Sequence, residues 1–215
     1  MMAIEKELPE GWETYKLDEI TKVIGGGTPK TKIEEYWGDE IVWLSPIDLP
    51  PIGEITNVSD SKKKITKLGL EKSSARLLPI GSVVYSSRAS IGKIGIAEVE
   101  LCTNQGFTNF ICSDKINNKY LVYVLKHYTE DISRLSNSTT FKEISKTHFK
   151  QFSIPVPPLE EQQRIVAKLD ALYEKIDSCI KLVSGEFKDR YDDSLLAYLI
   201  GLKSSILEDA FRGKL

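Results

Sequence analysis

Ile154-Pro155-Val156-Pro157-Pro158-Leu159-Glu160-Glu161-Gln162 divides the chain into two unlike halves. Before it lie short mixed elements, and after it a long helix with a coiled-coil repeat begins. Pro fits the first turn of a helix, where no backbone donor is needed, and Glu160 and Glu161 favour the positive end of the helix dipole. Apolar residues then fall at Ile165, Leu169, Leu172, Ile176, Cys179 and Val183 in alternating steps of four and three, with charged residues such as Arg164, Lys168, Asp170 and Glu174 between them. A stripe this narrow suits pairing with another helix better than burial in a globular core.

A second apolar series, Leu195, Leu199, Leu202 and Ile206, repeats the spacing one residue out of phase, across the polar stretch 184–193. Two outcomes are open, one long kinked helix or a helical hairpin. Ile165, Leu169, Leu172, Ile176, Val183, Leu195, Leu199, Leu202 and Ile206 are read as an interface for a second copy or a partner. A self-contained hairpin is the competing reading.

Upstream, residues 11–24 predict a short strand followed by a helical turn, and Ile41-Val42-Trp43-Leu44 predicts a buried strand. Gly25-Gly26-Gly27-Thr28-Pro29 reads as an exposed loop, and residues 50–64, with the Lys62-Lys63-Lys64 run, as a mobile polar segment. The runs 82–87, 91–97 and 107–112 alternate in strand fashion between glycines and predict an antiparallel sheet or partial barrel, followed by a helix around Leu121–Tyr128. The fold class is α+β, with residues 1–157 as a compact mixed domain and 158–215 as a helical region.

The formal net charge of the 215 residues is only −2, yet its distribution is uneven. Residues 55–157 hold 15 Lys/Arg against 8 Asp/Glu, while residues 1–54 hold 5 against 12. A local basic surface on a near-neutral protein is the footprint of a sequence reader not dominated by nonspecific phosphate attraction. No apolar run approaches the roughly 20 residues that span a bilayer, and the acidic N-terminus is unlike a signal peptide, so a cytoplasmic location without membrane association is expected.

Catalytic chemistry finds no foothold. Cys102, Cys112 and Cys179 lack CxxC spacing and read as reduced packing cysteines, and His127 and His148 have no ligand partner nearby in sequence, so no metal site is expected. The triple glycine lacks the GxGxxG spacing of a dinucleotide loop. Pro155-Val156-Pro157-Pro158 lacks the amide or carboxylate of an amino-methylating DNA methyltransferase motif.

Several runs in order carry a resemblance across essentially the whole chain. They are Leu8-Pro9-Glu10-Gly11-Trp12, Gly26-Gly27-Thr28-Pro29, Tyr36-Trp37-Gly38, Trp43-Leu44-Ser45-Pro46-Ile47-Asp48-Leu49, Ser86-Ser87-Arg88-Ala89-Ser90-Ile91-Gly92-Lys93, Thr103-Asn104-Gln105-Gly106-Phe107, Thr140-Phe141-Lys142-Glu143-Ile144-Ser145, Ile154–Leu169 and Leu202-Lys203-Ser204-Ser205-Ile206-Leu207. Together they resemble a specificity subunit of a type I restriction-modification system, with one target-recognition domain and one helical spacer where the family's usual subunit has two of each.

The resemblance implies a noncatalytic reader of double-stranded DNA. Modification subunits would carry S-adenosylmethionine and methylate adenine, a separate restriction subunit would translocate and cleave, and this chain would hold no cofactor. A second copy, paired through the spacer, would supply the other reader and an inverted-repeat target. Modification subunits are expected to dock around Glu160–Lys168. The DNA-facing candidates are Lys62, Lys63, Lys64, Ser86, Ser87, Arg88 and Lys93, then Thr28, Lys30 and Thr31, with Asn104 and Gln105 offering amides suited to adenine. Set against these are bland readings: a solvated Lys loop, and an amide that merely holds the turn before Gly106. The competing function is an interaction-only decoy or inhibitor that reads no DNA.

Overall fold

The computed structural model describes residues 8–135, 143–184 and 193–215. Residues 1–7, 185–192 and Thr140-Phe141-Lys142, all used in the sequence reading, lie outside them. The chain runs through β1 (Glu13–Lys16), α1 (Leu17–Ile20), β2 (Thr21–Gly25), β3 (Trp37–Gly38), β4 (Ile41–Leu44), β5 (Ile55–Val58), β6 (Lys63–Ile65), α2 (Lys67–Glu71), β7 (Val83–Ser86), β8 (Ile94–Ala97), β9 (Leu101–Thr103) and β10 (Phe107–Cys112). Then come α3 (Asn118–His127), α4 (Thr129–Arg134), α5 (Lys146–Gln151), β11 (Ser153–Val156), α6 (Leu159–Ser184) and α7 (Asp193–Ala210). Two compact units result, Thr14–Ile154 and Pro155–Leu215, the latter joined by the segment ending at Glu13. The sequence boundary keeps 1–157 together; Pro9 instead packs on Gly213, where a Cβ would fall 2.3 Å from the proline Cγ.

In the first unit, a five-stranded sheet ordered β2-β10-β7-β8-β5 faces a four-stranded sheet ordered β3-β6-β4-β9. Both are mixed: β5 runs parallel to β8, and β4 parallel to β9, alongside the anticipated antiparallel pairs. Val42, Leu44, Val58, Val84, Ala97, Leu101 and Phe107 come from both sheets and form one buried cluster between them. Alternation along β10 turns Phe107 into this cluster and Phe110 to the opposite face, where its ring and that of Tyr85 meet Phe149 of α5 at 5.5 and 5.4 Å. Trp43, Ile65, Ala75 and Cys102 fill a further cluster. Burial pushes the Cys102 and Cys112 thiols up to about 12, as befits packing cysteines, whereas Cys179 is exposed.

Two loop expectations are overturned. Residues 50–64 are not a mobile segment, because β5 and β6 arise within or at the end of it: β6 puts Lys63 and Lys64 opposite Trp43 and Val42. The glycine loop is not exposed either, since Gly27 and Pro29 are buried. A Cβ on Gly26 would sit 1.8 Å from the Asn104 carbonyl oxygen, and one on Gly27 2.3 Å from the Ser74 carbonyl carbon, so only glycine lets these backbones meet.

The second unit is an antiparallel hairpin, deciding the open choice. The Tyr173 hydroxyl donates to the Lys203 carbonyl at 3.1 Å, and Lys203 forms an ion pair with Asp177. Near the other end Arg164 donates to Glu161 and to the Leu215 carbonyl, both at 2.6 Å. The buried face of α6 is Gln162, Ile165, Val166, Leu169, Tyr173 and Ile176. Ile165, Leu169 and Ile176 are therefore consumed inside a single copy and cannot serve the intermolecular interface expected of them. Leu172, Val183, Leu195, Leu199, Leu202 and Ile206 are half-buried. Fully buried Gln162 explains the Pro-Pro-Leu-Glu-Glu-Gln run: its side-chain amide donates to the Pro157 carbonyl at 2.9 Å, tying the helix start to the preceding prolines.

Candidate nucleic-acid interface

Four loops of the first unit converge through backbone pairing. Gly27 N–H donates to the Thr103 carbonyl at 2.8 Å, Ser87 N–H to Gly106 at 2.8 Å, and Ile144 N–H to Ser87 at 2.9 Å. Two tryptophans fix the glycine loop from beneath: the Trp43 indole donates to the Gly27 carbonyl at 2.9 Å and the Trp37 indole to the Lys30 carbonyl at 3.3 Å. Their rings meet edge to face at 5.1 Å. Thr28, at the loop tip, donates to the Gln105 side chain. Polar groups from residues 28, 88 and 105 are thus gathered on a rigid frame, far apart in sequence.

The same loop continues to Thr31, which with Trp37, Gly38, Asp39, Ser61, Lys62, Lys63 and Lys64 lines a shallow concavity of about 460 Å³, three cations against one carboxylate. Lys62 and Lys63 are exposed, and Lys63 lies 5.5 Å over the Trp37 ring. Lys64 pairs with Asp60 at 3.1 Å; a backbone hydrogen bond from Ser61, and then Lys64, hold that carboxyl below its usual range. Arg88 is held out on the protein surface by an isolated bridge to Glu143 and a loose ion pair with it at 3.7 Å. A left-handed Ala89, φ 60°, shapes that turn.

The structure therefore sorts the candidates. Thr28, Lys30, Thr31, Lys62, Lys63, Arg88 and Gln105 stand at the surface of one contiguous region, while four others are spent on the frame. Ser86 and Ser87 are buried; the Ser86 hydroxyl accepts from Lys93 N–H at 2.8 Å and donates to the Ser90 carbonyl. The Lys93 ammonium donates to the Pro46 and Leu49 carbonyls at 2.8 and 3.0 Å. Asn104 accepts from Gly106 N–H at 2.8 Å, the turn-holding role that competed with base contact. Sequence reasoning passes over Glu143, and also Lys146, whose Cδ would lie 3.1 Å from a Cβ on Gly25. Both flank Ile144-Ser145 in a run quoted for the resemblance, the one available signal.

Residues 9–182 match the family described as the type I restriction modification DNA specificity domain. The chain belongs to that family. It is a family of DNA recognition domains and not of catalytic ones. Relatives include the type I restriction enzyme MjaIX specificity subunit of Methanocaldococcus jannaschii, 38% identical over 80% of this chain and 40% of that protein. The EcoR124I/EcoR124II specificity subunit of Escherichia coli is 36% identical over 77% of this chain and 41% of its own length. A solved structure described as the basis of complex assembly and conformational transition of the type I R-M system covers 99% of this chain and 48% of its own, with 27% identity and a TM-score of 0.67. The HsdS subunit from Thermoanaerobacter tengcongensis shares the fold at 23% identity and a TM-score of 0.62. The chain spans less than half the length of these relatives.

Among the described residues no helix is long and apolar enough to cross a membrane, and no cluster of His, Cys, Asp and Glu is suited to a metal ion.

Proposed function

We propose that this specificity-family chain reads a duplex DNA sequence for a type I restriction-modification assembly. Partner modification subunits, holding S-adenosylmethionine, methylate adenine at the sites it selects, and a restriction subunit acts through the same selection. The observation that carries the reading is the contiguous surface of Thr28, Lys30, Thr31, Lys62, Lys63, Arg88 and Gln105 within the matched residues. Lysines in a shallow concavity suit phosphates, whereas the Arg88 fork and the Gln105 amide suit guanine and adenine edges.

A second copy completes the reader. Leu182, Tyr198 and Ile200 on the hairpin are 50, 66 and 54% exposed; Tyr198 and Ile200, two residues apart, lie on different sides of α7, and Leu182 on α6 is the apolar position proposed to meet a partner helix. Two chains joined there would read an inverted repeat with a fixed gap. Docking of modification subunits around Glu160–Lys168, and residence in the cytoplasm with the DNA, belong to the same proposal.

Titration against duplexes at several salt concentrations tests the core claim. DNA binding requires log K to fall with log salt by about 0.9 per phosphate contacted. Absence of binding at every salt concentration, with and without modification subunits, would favour the interaction-only reading. Comparing host DNA methylation with and without the gene then gives the target itself.

A further inference from the structure

Pro46–Asp48 forms one turn of 3-10 helix whose outward side chain, Ile47, is 70% exposed. A lone exposed isoleucine is ordinary, but an exposed turn held this firmly is not. The Asp48 carboxylate accepts from both the backbone and the hydroxyl of Ser45 at 2.8 Å, and its other oxygen accepts from Lys62 N–H at 3.1 Å. From the other side the Lys93 ammonium clamps the carbonyls of Pro46 and Leu49. Asn104 N–H donates to the Leu44 carbonyl at 2.8 Å, which places the turn beside Asn104-Gln105-Gly106. The backbone that carries Ile47 is thus held between the Gln105 turn and the lysine concavity before any ligand arrives. Ile52, 55% exposed, lies over Gly92.

We propose that Ile47 is a specificity-determining contact that packs on the 5-methyl group of a thymine in the major groove, with Lys93 and Asp48 as its positioning residues. The proposal rests on the DNA-reading function above. Flanking cations seat the phosphates, the amide and guanidinium read polar base edges, and an apolar tip distinguishes thymine by the one apolar group the groove displays. Preorganisation of the turn's backbone by the ammonium clamp cuts the ordering cost that a mobile loop would bring to the complex.

The test uses the full chain assembled with modification subunits and a duplex selected from a randomised pool. Each thymine of the selected site is replaced in turn by deoxyuridine, which removes only the methyl group. For the wild type, one replacement should weaken binding about four-fold, the factor for one buried methyl group. For Ile47→Ala, that same replacement should have no effect, while nonspecific binding and thermal stability stay unchanged. Equal sensitivity of wild type and Ile47→Ala at every position, or a selected site indifferent to all replacements, overturns the proposal. So does an Ile47→Ala chain that loses its protein partners while keeping its base preference, since the tip would then dock a subunit. If the wild type selects no sequence at all, the DNA-reading function fails instead, a distinct result.

Discussion

Lys93 donates to the Pro46 carbonyl oxygen at 2.8 Å, joining the loop after β7 to the turn after β4. This cation belongs to the scaffold, unlike Lys62 and Lys63 on the surface nearby. Lys93→Met removes two charge-assisted hydrogen bonds and should lower unfolding free energy by about 1–3 kcal/mol in urea titration. Lys62→Met and Lys63→Met should each stay within about 0.5 kcal/mol of wild type while reducing the salt dependence of DNA binding by about one phosphate contact.

Glycines separate along the same line. Gly26→Ala and Gly27→Ala place a methyl group inside facing backbone, which cannot yield as a side chain could. Thermal denaturation should show losses of about 3 kcal/mol or more, with DNA affinity falling as Thr28 moves off Gln105. Gly201, inside α7, has nothing within 4 Å of the point where a methyl group would sit, and it should behave oppositely: Gly201→Ala gains up to about 1 kcal/mol from helix propensity.

In the hairpin, Leu169 is fully buried and Leu182 half-exposed. Leu169→Asp buries an unpaired carboxylate and should unfold the second unit, seen as lost helicity in circular dichroism. Leu182→Asp should leave the helices intact and abolish self-association in light scattering. A Leu182→Asp chain whose mass equals that of an associated wild type would remove this end of the hairpin from the proposed interface.

Asp60 holds Lys64, which lines the lysine concavity beside the proposed DNA surface, in an ion pair that a phosphate contact there would have to break. Its folded value lies below the ordinary one, so its small contribution to stability is present above the unfolded carboxylate value and is lost as pH falls through the lowered folded value. Protonation also releases Lys64. Asp60→Asn should therefore bind DNA more tightly than wild type at neutral pH, and the two affinities should converge below the lowered Asp60 value, as read by fluorescence anisotropy on a labelled duplex.

Much of the architecture was legible because it is written in local chemistry. The prolines at 155, 157 and 158 mark the seam, the apolar spacing marks two helices, and alternation at residues 107–112 marks β10. The heptad stripe on α6 runs slightly out of phase with the face that is buried, with Leu172 and Cys179 in place of Val166 and Tyr173. A helix turns 3.6 residues per cycle while a strict heptad assumes 3.5, and Tyr173 is drawn inward by its bond to Lys203 on the facing helix.

By itself the sequence determined a near-neutral, α+β domain followed by paired-helix patterning, because proline placement, hydrophobic period and charge distribution act between near neighbours. Only the tertiary structure decided which polar side chains remain available. Ser86, Ser87, Lys93 and Asn104 share the runs of Arg88 and Gln105, yet Ser87 and Lys93 are consumed by backbone groups from other loops, and Ser86 and Asn104 by backbone groups of their own. Exposure and hydrogen-bond saturation depend on partners brought together across the fold, and no local pattern records who those partners will be.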